Sequence, residues 1–507
     1  MPKMAHCLLL IVLMFSGAAL AAELKEVAPG VHFRLGDVAR GQANGGFIVC
    51  QDYLIAIEAP SAEASAEMFE EAKKLSDKPV RFLIITHGHW DHDGGVDVFA
   101  QKGVTVIVHE TLRQRYAEKQ KPGSFIGVTD KLTLYNGGKT VEVFPKGTAH
   151  SPTDMFVRLP KEGVIFTGDS VVSMPAAWLG ESDLQNWIDA LGSLGKLAPK
   201  VVCPGHGQPG GPELLANLAA YLTHLRDEVG WQVSQGRSYE VTLAQVKLPE
   251  NEKWGTKDSL KDHVKAAWTQ LTAELPEPQA GLMPRALVLI GDHYHPPAYI
   301  RPPLEAALQK IGMPARFIYD VTKLNAKNLK GVRLLVVLRD GMTWPSPTAQ
   351  KPEGEAVWWM TKDQEKAIAE FVSNGGGFLA LHNATALRLI GPDAGLYRDV
   401  LGSSYNGHGA GDEKFSMRVV KTDHPVTKGV SEYPAIDERH TPVIHAKDIT
   451  LLLEAVSGDK TSPNGYVRTY GKGRVCHLAN GHNIEMLQCP AMQQLLANAA
   501  LWCIGVE

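Results

Sequence analysis

Apolar positions along this chain follow two alternating rhythms: short β-branched runs, and stretches in which apolar residues recur at helical spacing. Residues 31–34, 46–50 and 53–58 read as strands, the first two joined by a Gly-rich turn, and 62–75 as a helix. The run Val80-Arg81-Phe82-Leu83-Ile84-Ile85 reads as a buried strand. Further strands are predicted at 104–108, 141–144 and 201–203, a hairpin at 154–159 and 163–166, and an amphipathic helix at 184–197. From 212 to about 272 the pattern turns helical and charged, with helices at 214–225 and 260–271. Residues 274–284 hold three prolines and a glycine and read as a linker. Beyond it, strands at 286–291, 334–338 and 378–381 alternate with helices at 303–311 and 364–373. That is the βαβ rhythm of a parallel, doubly wound sheet.

Length and composition change this picture in three ways. At 507 residues the chain is too long for one ordinary core. Its 44% hydrophobic and 21% charged content is that of globular protein, and a net charge of -4 gives no electrostatic footing for a nucleic-acid partner. The N-terminus stands apart. Lys3 precedes an apolar run from Cys7 to Phe15, and Ala19-Leu20-Ala21 offers a small-x-small cleavage site. This is a secretory layout over 1–22, too short to span a bilayer, and it predicts a periplasmic or secreted chain without stable membrane insertion. Cys50, Cys203, Cys476, Cys489 and Cys503 would remain, widely spaced and odd in number, so no disulfide framework is expected. Cys203, although close to His206, is expected to face the core.

The chemistry concentrates where the strand at 80–85 ends. In Thr86-His87-Gly88-His89-Trp90-Asp91-His92, three imidazoles and a carboxylate fall within a few positions. A rigid sheet holds such a loop in place, and neutral imidazole with carboxylate suits zinc and also iron. His87 and His89 can reach one metal while Asp91 and His92 reach a second.

This stretch resembles the His-x-His-x-Asp-His signature of the metallo-β-lactamase superfamily. Three further segments match that family in order: Gly147-Thr148-Ala149-His150-Ser151, Phe166-Thr167-Gly168-Asp169 and Pro204-Gly205-His206-Gly207. The resemblance covers the first half of the chain and implies an αβ/βα sandwich. It implies that His87, His89 and His150 hold one metal and that Asp91, His92 and His206 hold another, with Asp169 bridging. Two Zn2+ per chain would turn a shared water into the hydroxide that attacks a carbonyl, with Asp91 orienting it. Glu58 stands where the family often carries aspartate and is expected to support the histidine loop. Family members that open β-lactams commonly carry cysteine or serine where this chain has Asp169, so the pattern looks closer to the glyoxalase II-like branch. His87, His150 and Asp169 also form a two-histidine, one-carboxylate set suited to Fe2+, as in sulfur dioxygenases of the same fold. Trp90, Phe125, Met174 and Trp178 are candidates for an apolar pocket wall or for ordinary packing.

The segment after the linker resembles the ThuA-like (trehalose utilisation) domain, related to class I glutamine amidotransferases. The matching pieces are Gly375-Gly376-Gly377-Phe378-Leu379-Ala380-Leu381-His382, Tyr397 to Gly402, Asp423-His424-Pro425, Asp437-Glu438, Gly471-Lys472-Gly473-Arg474-Val475 and Gly481-His482. An amidotransferase needs a thiolate at the turn after the Gly-rich strand. Here His382 stands in that place, so glutamine hydrolysis is not expected. His382, His408, Glu438 and His482 are instead candidates for a polar cleft that binds a sugar, with His293 and His295 nearby. Asp423-His424-Pro425 reads as a turn.

The expected organisation is therefore a signal peptide at 1–22, a metallo-β-lactamase domain at 23–211, a helical extension at 212–273 packed over the sandwich, a linker at 274–284 and a ThuA-like domain at 285–507. The leading functional reading is an exported dinuclear zinc hydrolase of an ester, thioester, lactone or amide in a small-molecule substrate, carbohydrate-related or not, with a C-terminal domain that is a candidate for binding carbohydrate. The alternatives are a mononuclear iron sulfur dioxygenase and a non-catalytic, metal-stabilised sugar-binding protein.

Overall fold

The computed structural model describes residues 23–173, 177–249, 257–275, 286–346, 356–386 and 395–506. The expected signal peptide, most of the linker and Met174 lie outside them. By its contacts the chain forms two compact units, one containing residues 1–177 and 181–219, the other 178–180 and 220–507. The boundary falls inside helix Glu213–Ser234, so the segment read as a helical extension groups from Ala220 onward with the second unit. No helix among the described residues is long and apolar enough to cross a membrane.

Two sheets build the first unit. One has seven strands in the order Leu24–Ala28, Val31–Arg34, Gly45–Val49, Leu54–Ile57, Val80–Ile84, Thr105–His109 and Ser124–Val128. The other has five, in the order Val201–His206, Val164–Val172, Met155–Leu159, Lys139–Pro145 and Leu132–Asn136. Strand side chains alternate between faces, and the cores follow that period. Ile55, Ile57 and Ile84 enter the apolar layer between the sheets, where they meet Val141, Val157, Phe166 and Cys203. Leu54, Ala56 and Leu83 face the other way, against Met68 and Ala72 of helix Ala62–Leu75, with Phe99, Leu112 and Tyr116. Helix Leu184–Gly195 covers the second sheet, and its buried Trp187 donates Nε1–H to the Ser170 carbonyl at 2.8 Å. The result is the expected αβ/βα sandwich, with Cys203 in its core.

The second unit holds a nine-stranded sheet in the order Ala315–Ile318, Ala286–Ile290, Leu334–Leu338, Gly377–Leu381, Gly473–Leu478, Lys460–Tyr470, Thr450–Ser457, Glu413–Val419 and Tyr433–Asp437. The first five strands run parallel and the rest antiparallel. Leu287, Leu289, Leu335 and Val337 pack against helix Lys362–Ser373 and helix Gly395–Leu401. The alternate residues Val288, Leu334 and Val336 are equally buried, so both faces are covered. One helix begins earlier than its prolines predict. Pro297–Lys310 contains Pro302 and Pro303, because its first turn forms on the Pro296 carbonyl, which accepts from Tyr299 N–H. His424 caps a 3-10 turn at Pro425–Thr427, as the turn reading expects.

One buried charge ties a helix to the first sheet. Arg34, fully buried, places Nε 2.9 Å from Glu71 Oε2 and Nη2 3.4 Å from Glu67 Oε2, both on helix Ala62–Leu75. Arg34→Ala leaves Glu71 without its cation, while Arg40 still reaches Glu67 at 3.4 Å, and should cost about 1–3 kcal/mol in chemical denaturation, whereas Arg34→Met should lose far less, since apolar replacement of the charge refills the space. Equal losses in the two variants would show that packing, not charge pairing, is what Arg34 supplies.

Candidate metal centre

The strand Val80–Ile84 ends in Thr86-His87-Gly88-His89, and a single helical turn, Trp90–Asp93, follows. His92 N–H and Asp93 N–H both donate to the His89 carbonyl. This change from extended chain to helix divides the ligands: His87 and His89 go one way, Asp91 and His92 the other.

The structure brings all seven sequence-predicted ligands together. His87, His89, His150 and Asp169 form one group and Asp91, His92 and His206 another, each with its potential ligand atoms within 4.8 Å of one another. His89 Nδ1 lies 3.0 Å from His87 Nε2 and 3.1 Å from His150 Nε2. His206 Nε2 lies 3.1 Å from Asp91 Oδ2 and 3.5 Å from Asp169 Oδ1. Asp169 spans both groups, with Oδ1 3.2 Å from His92 Nε2 and Oδ2 3.7 Å from His150 Nε2.

Each ligand has a local support. Glu58, at φ 65°, accepts from Thr86 N–H at 3.1 Å and from Thr86 Oγ1–H. With its own proton committed, Thr86 Oγ1 can only accept from His87 Nδ1–H, 3.1 Å away. That relay assigns the His87 tautomer and turns the Nε2 lone pair into the site. Glu58 Oε1 also faces His92 Nδ1 at 3.2 Å. Asp154 shapes the His150 loop: it accepts from Ala149 N–H, Ser151 N–H and Ser151 Oγ–H at 3.1, 2.9 and 2.7 Å. Trp187 packs edge-on against the His150 ring. Asn44 holds the His206 loop, donating Nδ2–H to the carbonyls of Pro204 and Gly207 at 2.9 and 2.8 Å.

Two glycines of the matched motifs permit the close approach. A Cβ on Gly205 would come within 2.0 Å of Asp169 Oδ1, and one on Gly168, where φ is 51°, within 2.2 Å of Thr86 Oγ1. Neither position tolerates a side chain without moving a ligand or its support.

The donor set fits a pair of divalent cations. Ligands about 2.05 Å from a tetrahedral centre stand roughly 3.4 Å apart, and the contacts above bracket that spacing. Imidazole nitrogens and carboxylate oxygens are the ligands that zinc and ferrous iron share. Neither ring nitrogen of His92 nor Asp169 Oδ1 makes a hydrogen bond among the described residues, although all are buried. Burial alone would raise the Asp169 carboxyl, yet the imidazoles, His92 foremost, hold it well below the usual carboxylate range. His92 is raised against the effect of burial by Asp169 and Glu58. His87 is lowered, first by burial and then by His92.

Of the aromatic candidates, Trp90 and Trp178 are exposed, at 68% and 52%, and Phe125 packs against Tyr116. Thr86, Asp154 and Asn44 went unread as supports. In sequence each looks like an ordinary strand-end or turn residue, and nothing nearby marks its partners.

The second unit collects its predicted residues around one cavity of about 600 Å³, lined by His295, His408, Glu438, His440 and His482, with Trp344, Trp358 and Tyr405 among its walls. His382 lies buried beside it, its Nε2 3.3 Å from Glu438 Oε2. His293 instead packs on Tyr294 and Trp344. The carboxyl ends of the parallel strands deliver Asp292 and His295, Asp340, His382 and Asn383, and His482. Asp437, fully buried, pins the last of these by accepting from Gly481 N–H at 2.7 Å and His482 N–H at 3.1 Å. Burial, then the charge of Asp292, raises Asp340. His440 escaped the sequence reading, although its spacing of two from Glu438 was a usable signal.

Comparison with known proteins agrees with this geometry. Residues 56–206 match the family model of the metallo-beta-lactamase superfamily, and residues 285–503 that of trehalose utilisation (ThuA). The type 2 metallo-beta-lactamase of Bacteroides fragilis is 28% identical over 180 residues, which span 34% of this chain and 72% of that protein. The type 2 enzyme of Bacillus sp. (strain 170) is 29% identical over 31% of this chain and 63% of its own length. A metallo-beta-lactamase structure from Pontibacter korlensis covers 40% of this chain and 99% of its own, at 25% identity and a TM-score of 0.37. Residues 56–206 thus form a domain of the metallo-beta-lactamase superfamily, and residues 285–503 a domain of the trehalose-utilisation (ThuA) family.

Proposed function

We propose that the first domain is a dinuclear zinc hydrolase of a carbonyl substrate: an ester, a thioester, a lactone or a strained amide. The reading rests on one observation. Asp169 turns one carboxylate oxygen toward each of two ligand groups, so the fold carries two half-sites joined by a shared carboxylate. Two divalent cations there would supply Lewis acidity toward the carbonyl and a hydroxide nucleophile at neutral pH. The protein's own groups do the rest. His87, His92 and His150 are closed to solvent, while His89, Asp91 and His206 keep side chains 17–20% exposed, so substrate enters past these three. Asp91 Oδ2 sits at that entrance and can accept a proton from the attacking water. His92 must be neutral to ligate, so metal binding there competes with the proton that Asp169 and Glu58 favour on its ring. The relatives named above are β-lactamases, but Asp169 in place of cysteine or serine favours acyclic esters, thioesters and lactones over β-lactams. In the second domain, Trp344, Trp358 and Tyr405 around a floor of imidazole and carboxylate favour a carbohydrate ligand, with aromatic faces for the sugar ring and polar groups for its hydroxyls.

Two outcomes test this reading. In an assay panel of chromogenic esters, thioesters, lactones and β-lactams, chelation should abolish turnover, and His87→Ala or Asp169→Ala should each lower kcat/KM by roughly a thousandfold, the equivalent of several kcal/mol of charge stabilisation. Elemental analysis of protein purified without added metal should find zinc at both half-sites. A single iron with oxygen consumption on a persulfide would replace hydrolysis by sulfur oxidation, and chelator-insensitive behaviour throughout would leave a binding protein. Glu58→Gln and Asp154→Asn, which spare every ligand, should weaken metal binding by roughly 10–100-fold in chelator competition, because each removes an acceptor that orients a ligand. Unchanged affinity would show that His87 and His150 are held without them.

A further inference from the structure

Beneath the cavity of the second unit lies a cluster that sugar binding alone does not require. His295 Nε2 is 3.1 Å from His482 Nδ1, and Glu438 Oε2 is 3.3 Å from His382 Nε2 and 3.6 Å from His482 Nδ1. The far nitrogens of the two most buried rings are already committed. His295 Nδ1 lies 2.8 Å from Asp292 Oδ1, and His382 Nδ1 lies 3.0 Å from the Ala479 carbonyl. Asp292 and the Ala479 carbonyl accept only, and Asn383 Nδ2, which also lies 3.0 Å from His295 Nδ1, donates to Asp292 Oδ2, so each Nδ1 carries a proton and each Nε2, in the neutral ring, presents a lone pair to the cluster. His382 is completely buried, and its Nε2 makes no hydrogen bond. What it faces is a carboxylate oxygen 3.3 Å away, a pairing that needs positive charge between the two, a proton on the ring or a metal ion. The backbone holds the ring there at φ 46°, a left-handed conformation that is unfavourable for a non-glycine residue and concentrates at functional positions.

We propose that His295, His382, His482 and Glu438 bind a divalent transition-metal ion of the zinc class at the floor of this cavity. The ligand atoms of His295, His382 and His482 all lie within 4.8 Å of one another, and Glu438 joins through His382 at 3.3 Å and His482 at 3.6 Å, near the roughly 3.4 Å that tetrahedral coordination at about 2.05 Å demands. Three imidazoles and a carboxylate select such an ion over calcium or magnesium, which prefer all-oxygen cages. Asp292 supports His295 as a carboxylate supports a metal-bound imidazole, and it is itself held by Asp340 N–H at 3.0 Å and Asn383 Nδ2–H at 2.8 Å. His440 Nε2, 3.0 Å from Glu438 Oε2, and His408 Nδ1, 2.9 Å from Oε1, orient the carboxylate. The site lies wholly within the second unit and stands whether or not the first domain proves dinuclear.

The test isolates it. Full-length protein carrying His87→Ala and His206→Ala, which disable the first centre, is loaded with cobalt(II), dialysed and read by visible absorption and elemental analysis. One tightly held ion per chain, with the intense d–d bands of low-symmetry cobalt, is expected. Adding His295→Ala and His482→Ala should remove both ion and bands, and Glu438→Gln should weaken retention by about tenfold or more. In the otherwise native chain, His295→Ala with His482→Ala should hold one ion fewer than wild type, a count that does not depend on how the first-centre variants fold. Absence of a retained ion in the His87→Ala, His206→Ala protein, together with equal counts in wild type and the His295→Ala, His482→Ala variant, overturns the proposal. In that case the cluster is an imidazolium–carboxylate network. A zinc count in the first domain that differs from two leaves the cobalt result unaffected, so the two readings fail separately.

Discussion

Imidazole nitrogens and carboxylate oxygens crowded together in a buried space are the constraint around which the first domain is built. His87 Nε2, His89 Nδ1 and His150 Nε2 approach within hydrogen-bond distance, but a neutral imidazole has one N–H, and the His87 proton is spent on Thr86. Asp169 adds acceptors only, and so does Asp91. Such an arrangement is unfavourable unless positive charge enters it, as a proton on His92 or as cations between the groups. Holding it together takes rigid backbone: Asp169 and His206 lie on strands, and the other ligands on the short segments that follow strands.

Rigidity comes from layers behind the ligands. The alternation of Ile55 and Ile57 with Leu54 and Ala56 locks the strand that carries Glu58 between two apolar cores. Glu58 then passes that rigidity to Thr86, to His87 and to His92. Asp154 and Asn44 perform the same service for the loops of His150 and His206, using backbone N–H groups and carbonyls that would otherwise lack partners. Gly168 and Gly205 let three strand ends close to within contact distance.

The second domain reaches a similar arrangement from a different architecture. Four of its five parallel strands deliver residues to the cavity region, and positions just beyond their carboxyl ends supply Asp292, His295, Asp340, His382 and His482. An antiparallel strand on the far side of the sheet ends at Asp437 and Glu438, so pinning group and acidic ligand arrive from one turn. The strained His382 stands where the related amidotransferases keep a nucleophile, and here that sharp turn presents an imidazole instead.

Much of this was legible in the sequence, for a physical reason: strand period, helix period and ligand type are local properties. The run of histidines after Val80–Ile84 and the βαβ rhythm of the doubly wound sheet follow from them, as does the turn at His424, whereas the later motifs and the sandwich were legible through resemblance to a known family. Glu58 could be read because the resemblance places an acidic residue at that position. What lay beyond sequence is pairing at long range. Asn44 serves a loop some 160 positions away, His295 meets His482 across 187, and helix Glu213–Ser234 gives no local sign that its contacts change units midway. Residue identity determined which donors were present, whereas only the packed tertiary structure decided which nitrogen of each ring is committed and which lone pair is left facing the site.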